Sequence, residues 1–136
     1  MTVGILLSGV FLNGCFGFIG MALWVLKGSE IHGFGIFAGR GLKRGEVIAE
    51  LAKDRVFPVA IAESVKVGDG YFFDALLFWM NHSCDPNVEL DFSSWCVRAR
   101  RDISTGEELT YEYGAGLERL ACECGSQNCK GFFWTR

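Results

Sequence analysis

Short hydrophobic runs, each broken after a few residues by glycine or by charged side chains, extend through most of the chain. Alternating runs of this length are typical of β-strands, whereas an amphipathic helix repeats its apolar positions about every 3.6 residues. We predict strands at 23–26, 36–38, 46–51, 88–92, 95–100 and 108–114. The first three follow one another as a β-meander, and 88–92 and 95–100 form a hairpin, so a mainly β fold is expected.

Three stretches interrupt this pattern. Residues 52–70 are predicted to be a connector with a short helical piece around 59–65, and residues 115–121 a short helix or loop. The apolar run 78–80 stops at the polar residues 81–85, where Asp and Pro form a turn signal. A buried strand or short helix therefore ends at a place where polar groups are needed.

The first 26 residues contain no charged side chain and are long enough to span a bilayer. Five glycines between Gly4 and Gly20 weaken a helix, and neither a basic segment nor a small-residue cleavage site marks a secretory signal. Three interpretations stay open for this segment. It is a membrane anchor with the domain on the cytoplasmic side, an extra buried strand or helix, or an upstream extension in front of a natural start at Met21.

Composition and charge narrow the class of protein. At 136 residues, half of them hydrophobic, the chain is one compact domain that can bury a core. The net charge of -3 and the pI near 5.4 argue against a nucleic-acid binder, because phosphate contacts need a basic face. The mild acidity is compatible with a basic peptide partner.

Cysteine spacing is the first chemical signal. Of six cysteines, Cys122, Cys124 and Cys129 stand close together near the C-terminus. Thiols at this spacing fit a metal better than a disulfide framework. Cys15 and Cys96 stand apart from this group and are expected to be free structural thiols.

Two further groups of residues are candidates for a site. Gly33 and Gly35 flank Phe34 in a predicted turn. This turn is not a dinucleotide fingerprint, because the third glycine and the following helix are absent. A glycine pair nevertheless lets a ligand approach the backbone closely. Tyr111 and Tyr113 lie two residues apart on a predicted strand, so their side chains are expected on one face. Such tyrosines are ordinary core aromatics unless further context gives them a role.

Taken together, these motifs resemble the SET-domain protein-lysine methyltransferases over residues 22–134. The resemblance is carried by IHGFGIFA (31–38) with GEVI (45–48), by NHSCDPN (81–87), by GEELTYEYG (106–114) and by the cysteine-rich segment 122–134. It implies a β-clip of small curved sheets with short helical pieces and a C-terminal pseudoknot, which departs from the usual unthreaded connections. The implied domains are an extension at 1–21, a SET domain at 22–114 and a post-SET segment at 115–136.

The resemblance also implies a site. S-adenosylmethionine is the expected methyl donor, with contacts from Gly33, Phe34, Gly35, Asn81, His82 and Trp134. Tyr113 matches the catalytic tyrosine, and Tyr111 matches the position that limits how many methyl groups fit, which favours monomethylation. A structural zinc ion is expected on Cys84, Cys122, Cys124 and Cys129, which would bring Trp134 over the cofactor and the lysine channel.

The implied partner is a protein or peptide that presents a lysine, including histone-like chains, without direct nucleic-acid contact. The implied location is intracellular, in the cytoplasm or nucleus, with membrane anchoring through residues 1–26 left open.

The chain departs from the family pattern before Asn81, where a longer insert is usual. Residues 52–77 are short, and Phe78, Trp79 and Met80 stand where family members often carry an Arg-Phe-Ile run. Substrate choice is therefore open. The alternative function is a noncatalytic, zinc-stapled SET-like interaction module, and a third is a membrane-attached interaction protein, which rests on residues 1–26 alone.

Overall fold

The computed structural model describes residues 22–114, 116 and 118–135. Within them the chain forms short strands in four small sheets and one short helix, α1 (Ala75–Trp79). The strands are β1 (Trp24–Gly28), β2 (Phe34–Ala38), β3 (Val47–Glu50), β4 (Val56–Phe57), β5 (Val65–Val67), β6 (Gly70–Phe72), β7 (Asn81–His82), β8 (Val88–Asp91), β9 (Cys96–Ala99), β10 (Glu108–Tyr111), β11 (Arg119–Ala121) and β12 (Phe132–Trp134). The predicted mainly β class is confirmed.

The first sheet has the order β1-β2-β10-β7 and joins segments that are far apart in the chain. β1 and β2 form an antiparallel hairpin, and β10 pairs antiparallel with the other edge of β2. β7 then pairs in parallel with β10, which sets Asn81 opposite Thr110 and His82 opposite Tyr111. Residues from the middle and the end of the domain thus meet at one edge of this sheet.

The predicted β-meander is wrong at its third strand. β3 belongs to a second sheet with the order β3-β9-β8, while β10 occupies the edge of β2 that a meander would give to β3. The alternation of side chains identifies a strand and its two faces but does not identify its partner. The hairpin predicted over 88–100 is confirmed as β8 and β9, with Leu90 opposite Val97.

Two segments that we predicted as helix or loop contain strands. Residues 56–57, 65–67 and 70–72 form a third sheet with the order β4-β6-β5, and residues 58–64 connect β4 to β5 without a helix, so the short helix predicted around 59–65 is wrong. Valines at both ends of β5 have the β-branched character that favours a strand. β11 pairs with β12, with Arg119 opposite Trp134, and corrects the helix or loop predicted over 115–121.

Helix α1 explains the end of the apolar run before Asn81. The Asp74 carboxylate accepts a hydrogen bond from the Leu76 amide at 2.8 Å and caps the first turn. Leu76 and Leu77 face the core, and the helix ends where Met80 takes an extended conformation. The next two residues form β7, so a helix and then a strand stand where either one or the other was expected.

The buried core lies between the first two sheets and α1. Its largest fully buried side chains are Tyr111, Phe72, Ile36, Leu42, Leu77, Met80, Leu109, Val88 and Val97. Phe72 packs edge-to-face on Trp95 with ring centres 5.6 Å apart, which attaches the third sheet to this core.

Of the segment 1–26 for which three interpretations were open, residues 1–21 lie outside the described residues and residues 24–26 belong to β1. The domain boundaries stay a prediction. In the part of the chain that the structure describes, no helix has the length and apolar character needed to cross a membrane.

Asn87 connects the loop after Cys84 to β10. Its side-chain amide donates a hydrogen bond to the Glu108 carbonyl at 2.7 Å, and its side-chain oxygen accepts one from the Thr110 amide at 2.9 Å. The Asn87 side chain is only 2% exposed, so these groups have no access to solvent as a substitute partner.

We expect Asn87→Ala to lower the free energy of unfolding by about 1–3 kcal/mol, because it leaves the buried Thr110 N–H and the partly buried Glu108 carbonyl without their partner. Denaturant unfolding measures this difference. The exposed Asn128→Ala is the control and should change stability by less than about 0.5 kcal/mol. Equal losses in the two variants would contradict the role of Asn87.

Candidate functional site

Asn81 holds the loop between β1 and β2 in place. Its side-chain amide nitrogen lies 3.1 Å from the His32 carbonyl oxygen and 3.0 Å from that of Phe34. It also lies 2.8 Å from Oε1 of Glu108 and 3.1 Å from the Ser29 hydroxyl oxygen, and this hydroxyl donates to the same carboxylate at 2.8 Å. Loop 29–34 is therefore attached to both β7 and β10 by polar contacts.

Gly33 in this loop and Gly35 in β2 are glycines for different structural reasons. Gly33 has a φ of +50°, a conformation that suits glycine, and it lies at the end of the turn where the Ser29 amide donates to its carbonyl. Gly35 is buried, and a Cβ there would lie 2.2 Å from Oε1 of Glu108. The absence of a side chain at Gly35 thus lets the Glu108 carboxylate reach Asn81.

His82 is buried on the opposite face of the two-residue strand β7. Its Nδ1 accepts a hydrogen bond from the Tyr113 amide at 3.1 Å, and its Nε2 lies 3.4 Å from Sγ of Cys84. Burial lowers the pKa of His82 below its usual value, which favours the neutral imidazole. A neutral ring whose Nδ1 accepts carries its proton on Nε2, so Nε2–H donates to the sulfur.

Tyr113 lies beside His82, two residues beyond the last residue of β10. Its hydroxyl donates to the Met80 carbonyl at 2.9 Å. Its ring centre lies 5.2 Å from that of His82 and 4.9 Å from that of Tyr111. Tyr111 is only 2% exposed and is part of the hydrophobic core, so the two tyrosines predicted on one face are neighbours with different surroundings.

A cavity of about 510 Å³ opens between the loop, β7 and the C-terminal segment. Five of the residues expected to bind the cofactor or act in catalysis lie on its wall, namely Gly33, Phe34, Asn81, His82 and Tyr113. Its opposite wall comes from 120–124, Phe133 and Thr135. Gly35, Tyr111 and Trp134 are not on this wall. The three segments 33–34, 81–82 and 113 thus meet around one space large enough for a small molecule.

Trp134 lies at a neighbouring and smaller cavity of about 200 Å³. This second cavity shares His82, Tyr113 and Phe133 with the first, and Glu112, Lys130, Phe132 and Trp134 complete its wall. Trp134 is 41% exposed. The Tyr113 and His82 rings therefore separate two spaces, and Trp134 lies beside the smaller one.

Phe133 was missed by the sequence analysis. Its ring stacks on His82 with centres 5.2 Å apart and planes at 25°, and it meets Tyr113 edge-to-face at 5.7 Å. The run Phe132-Phe133-Trp134 offered three aromatic side chains, and neighbours on a strand point to opposite faces. Only the register of β12 on β11 shows that Phe133 faces His82.

Phe78 and Trp79 form a second aromatic group that was not assigned to the cavity. Trp79 meets Phe34 edge-to-face at 5.9 Å and Phe78 at 4.8 Å, and all three rings line the larger cavity. Each remains more than a third exposed. Their position directly before Asn81 could have indicated this placement. The end of α1 is continuous with β7, so its side chains lie beside the cavity that β7 lines.

Cys84, Cys122, Cys124 and Cys129 are brought together as expected, with their sulfur atoms all within 4.8 Å of one another. A tetrahedral site with Zn–S bonds of about 2.3 Å needs sulfur atoms about 3.8 Å apart. The Cys84–Cys122 distance is 3.8 Å. Cys96 is buried in β9 outside this cluster, and Cys15 lies outside the described residues. The four thiols could therefore hold a structural zinc ion.

The protonation of these thiols differs from one to the next. Burial raises the pKa of Cys122 to about 12 and also raises the pKa of Cys84. Burial acts in the same direction on Cys124, but backbone hydrogen bonds at Cys84 and Ser126, together with side-chain hydrogen bonds to Cys122 and Cys129, outweigh it and lower the pKa of Cys124 to about 6. Binding of a divalent ion must displace protons from Cys84 and Cys122, so affinity for the ion falls as the pH falls.

The family model described as SET domain matches residues 33–114, which is more than half of the chain. A methyltransferase of Aspergillus flavus, flvH, is 32% identical over 117 residues that cover 80% of this chain and 66% of the relative. The H3 lysine-4 specific histone-lysine N-methyltransferase of Saccharomyces cerevisiae is 34% identical over 134 residues, covering 76% of this chain and 12% of the relative. The chain thus spans from about an eighth to about two thirds of these two relatives.

Solved structures show the same fold. KRYPTONITE in complex with mCHG DNA and SAH matches with a TM-score of 0.60 at 24% identity, covering 77% of this chain and 27% of that one. KRYPTONITE in complex with mCHH DNA, an H3(1-15) peptide and SAH matches with a TM-score of 0.61 at 21% identity, covering 80% and 29%. The small sheets around β7 and β10 are therefore the fold of a known group of proteins.

We expect the purified protein to contain about one zinc ion per chain, as four clustered thiolates form one closed tetrahedral site. Cys84→Ser removes one ligand and should reduce the zinc content well below one, measured by inductively coupled plasma mass spectrometry. Cys96→Ser, which changes a cysteine outside the cluster, should retain zinc. Full zinc content in Cys84→Ser, or equal loss in both variants, would contradict the assignment.

Proposed function

We propose, since this chain belongs to the SET-domain family, that it transfers a methyl group from S-adenosylmethionine to the side-chain amine of a protein lysine. The observation that carries this proposal is the cavity of about 510 Å³ that collects residues 33–34, 81–82 and 113 from three remote segments. The relatives named methyltransferases support it. We also propose that residues 22–114 are the SET domain and residues 115–136 its post-SET segment.

The larger cavity is the proposed cofactor site, with Gly33, Phe34, Asn81 and His82 as contacts. Its volume of about 510 Å³ lies in the range of small-molecule sites. S-adenosylmethionine supplies an electrophilic methyl group on a positively charged sulfonium. The rings of Phe34, Trp79 and Phe133 give the cavity apolar walls and π-faces that favour a nearby cation. Gly35 contributes indirectly, because it admits the Glu108 carboxylate that holds Asn81.

Tyr113 is the proposed catalytic residue, and its role is to position the acceptor amine. Methyl transfer needs a neutral amine aligned with the methyl group, whereas a free lysine has a pKa of about 10.4. Exclusion of water around the amine favours its neutral form. Because the Tyr113 hydroxyl proton is directed at the Met80 carbonyl, its oxygen is oriented to accept a hydrogen bond from the amine. We therefore assign Tyr113 to orientation and not to proton removal.

The smaller cavity is the proposed entrance for the lysine side chain. Trp134 and Phe132 contribute aromatic walls, and Tyr113 lies between this space and the cofactor site. An aromatic wall suits the long apolar stem of lysine and its terminal charge before deprotonation. In this arrangement Trp134 contacts the substrate side of the site.

The proposed substrate is a protein or peptide with an accessible lysine in a basic segment, as in histone-like chains. Glu63 and Glu123 are exposed carboxylates on the wall of the larger cavity, where they attract a basic segment. The net charge of -3 also favours a basic partner. The yeast relative is named for histone H3 lysine 4. Substrates of this class would place the protein in the nucleus.

Tyr111 is proposed to restrict the product to monomethyllysine. It packs behind Tyr113 with ring centres 4.9 Å apart and is held in the core, so it limits how far Tyr113 can move to admit a larger amine.

We expect the protein to label lysines in a cell-lysate proteome when supplied with isotopically labelled S-adenosylmethionine. Tyr113→Phe should lower the transfer rate by at least about 100-fold, because loss of orientation at the reacting atoms costs about this much. Binding of S-adenosylhomocysteine, measured by calorimetry, should change little. Tyr71→Phe in β6 removes a tyrosyl hydroxyl from a residue that lines neither cavity, and its rate should match that of the unchanged protein.

Absence of transfer by the unchanged protein, with S-adenosylhomocysteine binding intact, would contradict the enzyme and favour the noncatalytic interaction module.

We expect Tyr111→Phe to shift the product from monomethyllysine towards di- and trimethyllysine, because removal of the hydroxyl leaves more room behind Tyr113. Mass spectrometry of the lysine labelled in the preceding experiment measures the distribution, with Tyr71→Phe again as the control. Accumulation of trimethyllysine by the unchanged protein, with no shift in Tyr111→Phe, would disprove the restriction.

A further inference from the structure

Each ring nitrogen of His82 has a polar contact, and the contacts with Tyr113 and Cys84 reach different parts of the site. Nδ1 accepts from the backbone amide of Tyr113 at 3.1 Å, and Nε2 lies 3.4 Å from Sγ of Cys84. Cys84 is one of the four clustered cysteines, and Tyr113 lies on the walls of both cavities. One imidazole ring therefore connects the cysteine cluster with the residue between the two cavities.

The hydrogen bond from the Tyr113 amide assigns the tautomer, and the Tyr111 backbone also forms a hydrogen bond with the ring. An amide N–H can bond only to a ring nitrogen that carries no proton, so Nδ1 is the acceptor and Nε2 carries the proton. The Nε2–H group then points at the Cys84 sulfur. Phe133 stacks on the ring at 5.2 Å and restricts its rotation.

We propose that His82 is a positioning residue that couples occupation of the cysteine cluster to the placement of Tyr113. A thiolate accepts a stronger hydrogen bond than a thiol, so the Nε2–H bond to Cys84 strengthens when Cys84 ligates a metal ion. The ring is then held with Nδ1 towards the Tyr113 amide. A bond that is stronger in the metal-loaded state must, by linkage, also stabilise the bound metal.

His82 belongs to the surroundings of the metal and is not one of its ligands. The Lys130 amide donates to the same sulfur at 3.4 Å, and the Gly131 amide donates to Cys129 at 3.4 Å. Among these donors His82 comes from the SET portion of the chain, whereas Lys130 and Gly131 follow the last cysteine of the cluster. Loss of such an outer partner typically lowers metal affinity by about 10–100-fold.

The consequence for methyl transfer rests on the function proposed above, whereas the two hydrogen bonds do not. If Tyr113 orients the acceptor amine, a metal-loaded cluster assists the reaction through His82. The cluster itself does not touch the reacting atoms. The experiments below use zinc affinity and spectroscopy, so that failure of this inference can be told apart from failure of the enzyme assignment.

Two substitutions of His82 test the hydrogen bonds of its two ring nitrogens separately. In His82→Gln the side-chain amide nitrogen can reach the position of Nε2 and donate to Cys84. In His82→Asn the side-chain oxygen lies near the position of Nδ1 and can accept from Tyr113, but no donor reaches Cys84. His32→Asn changes the other histidine of the chain, which lies outside the cysteine cluster, and controls for zinc affinity.

Zinc affinity is measured by competition with a chromophoric chelator. We expect His82→Asn to bind zinc about 10-fold or more weakly than the unchanged protein, whereas His82→Gln and His32→Asn stay within about 3-fold. Equal affinity in His82→Asn and the unchanged protein would overturn the proposal. Equal weakening of both His82 variants would also overturn it, because the loss would then come from the ring and not from the bond to sulfur.

Nuclear magnetic resonance tests the same bond without a substitution at His82. In protein loaded with cadmium-113 in place of zinc, we expect a single Nε2–H tautomer of His82 and a coupling between this proton and the metal, transmitted through sulfur. His32→Asn leaves one imidazole and assigns the signal. An Nδ1–H tautomer in the metal-loaded protein, or absence of the coupling in protein shown to hold one cadmium ion, would overturn the proposal.

Discussion

The parallel pairing of β7 with β10 is the constraint on which the rest of the site depends. β7 is two residues long, so its backbone bonds alone stabilise little, yet it presents one side chain to each face of the sheet edge. Asn81 is directed at loop 29–34 and His82 at Tyr113 and the cysteines. One short strand therefore positions the glycine loop on one side and the C-terminal segment on the other.

This arrangement buries polar side chains, and burial is tolerable only because each has partners. Asn81, His82 and Asn87 are all less than a tenth exposed, and their partners come from loop 29–34, from β10 and from the region of Cys84. An unpaired buried polar group costs about 1–3 kcal/mol. The contacts are therefore mutually dependent, and a change in one segment exposes an unpaired group in another.

The sequence pattern could predict the hairpin of β8 and β9 and a metal group of Cys122, Cys124 and Cys129. The addition of Cys84 to this group and the approach of 81–82 to Tyr113 came from family resemblance alone. The sequence pattern could not predict that β10 takes the edge of β2, because alternation defines faces and not partners. It could not predict whether Phe133 or Trp134 faces His82, since adjacent residues of β12 point to opposite faces. Only the pairing of β12 with β11 shows that this residue is Phe133. Gly35 was assigned to the cofactor by analogy, and nothing in the sequence indicated that a Cβ at this position would collide with the Glu108 carboxylate.

The larger cavity has walls from two separate parts of the chain. Loop 31–34, α1 and β7 belong to the portion with the hydrophobic core, whereas 120–124, Phe133 and Thr135 belong to the C-terminal segment. The sheet of β11 and β12 has only two strands, which is too few for independent stability, and the cysteine cluster lies beside it. Since Cys84 is the ligand candidate from the first portion, a metal on this cluster would fasten the second wall to the first. Closure of the cluster and completion of the cavity are then one structural event.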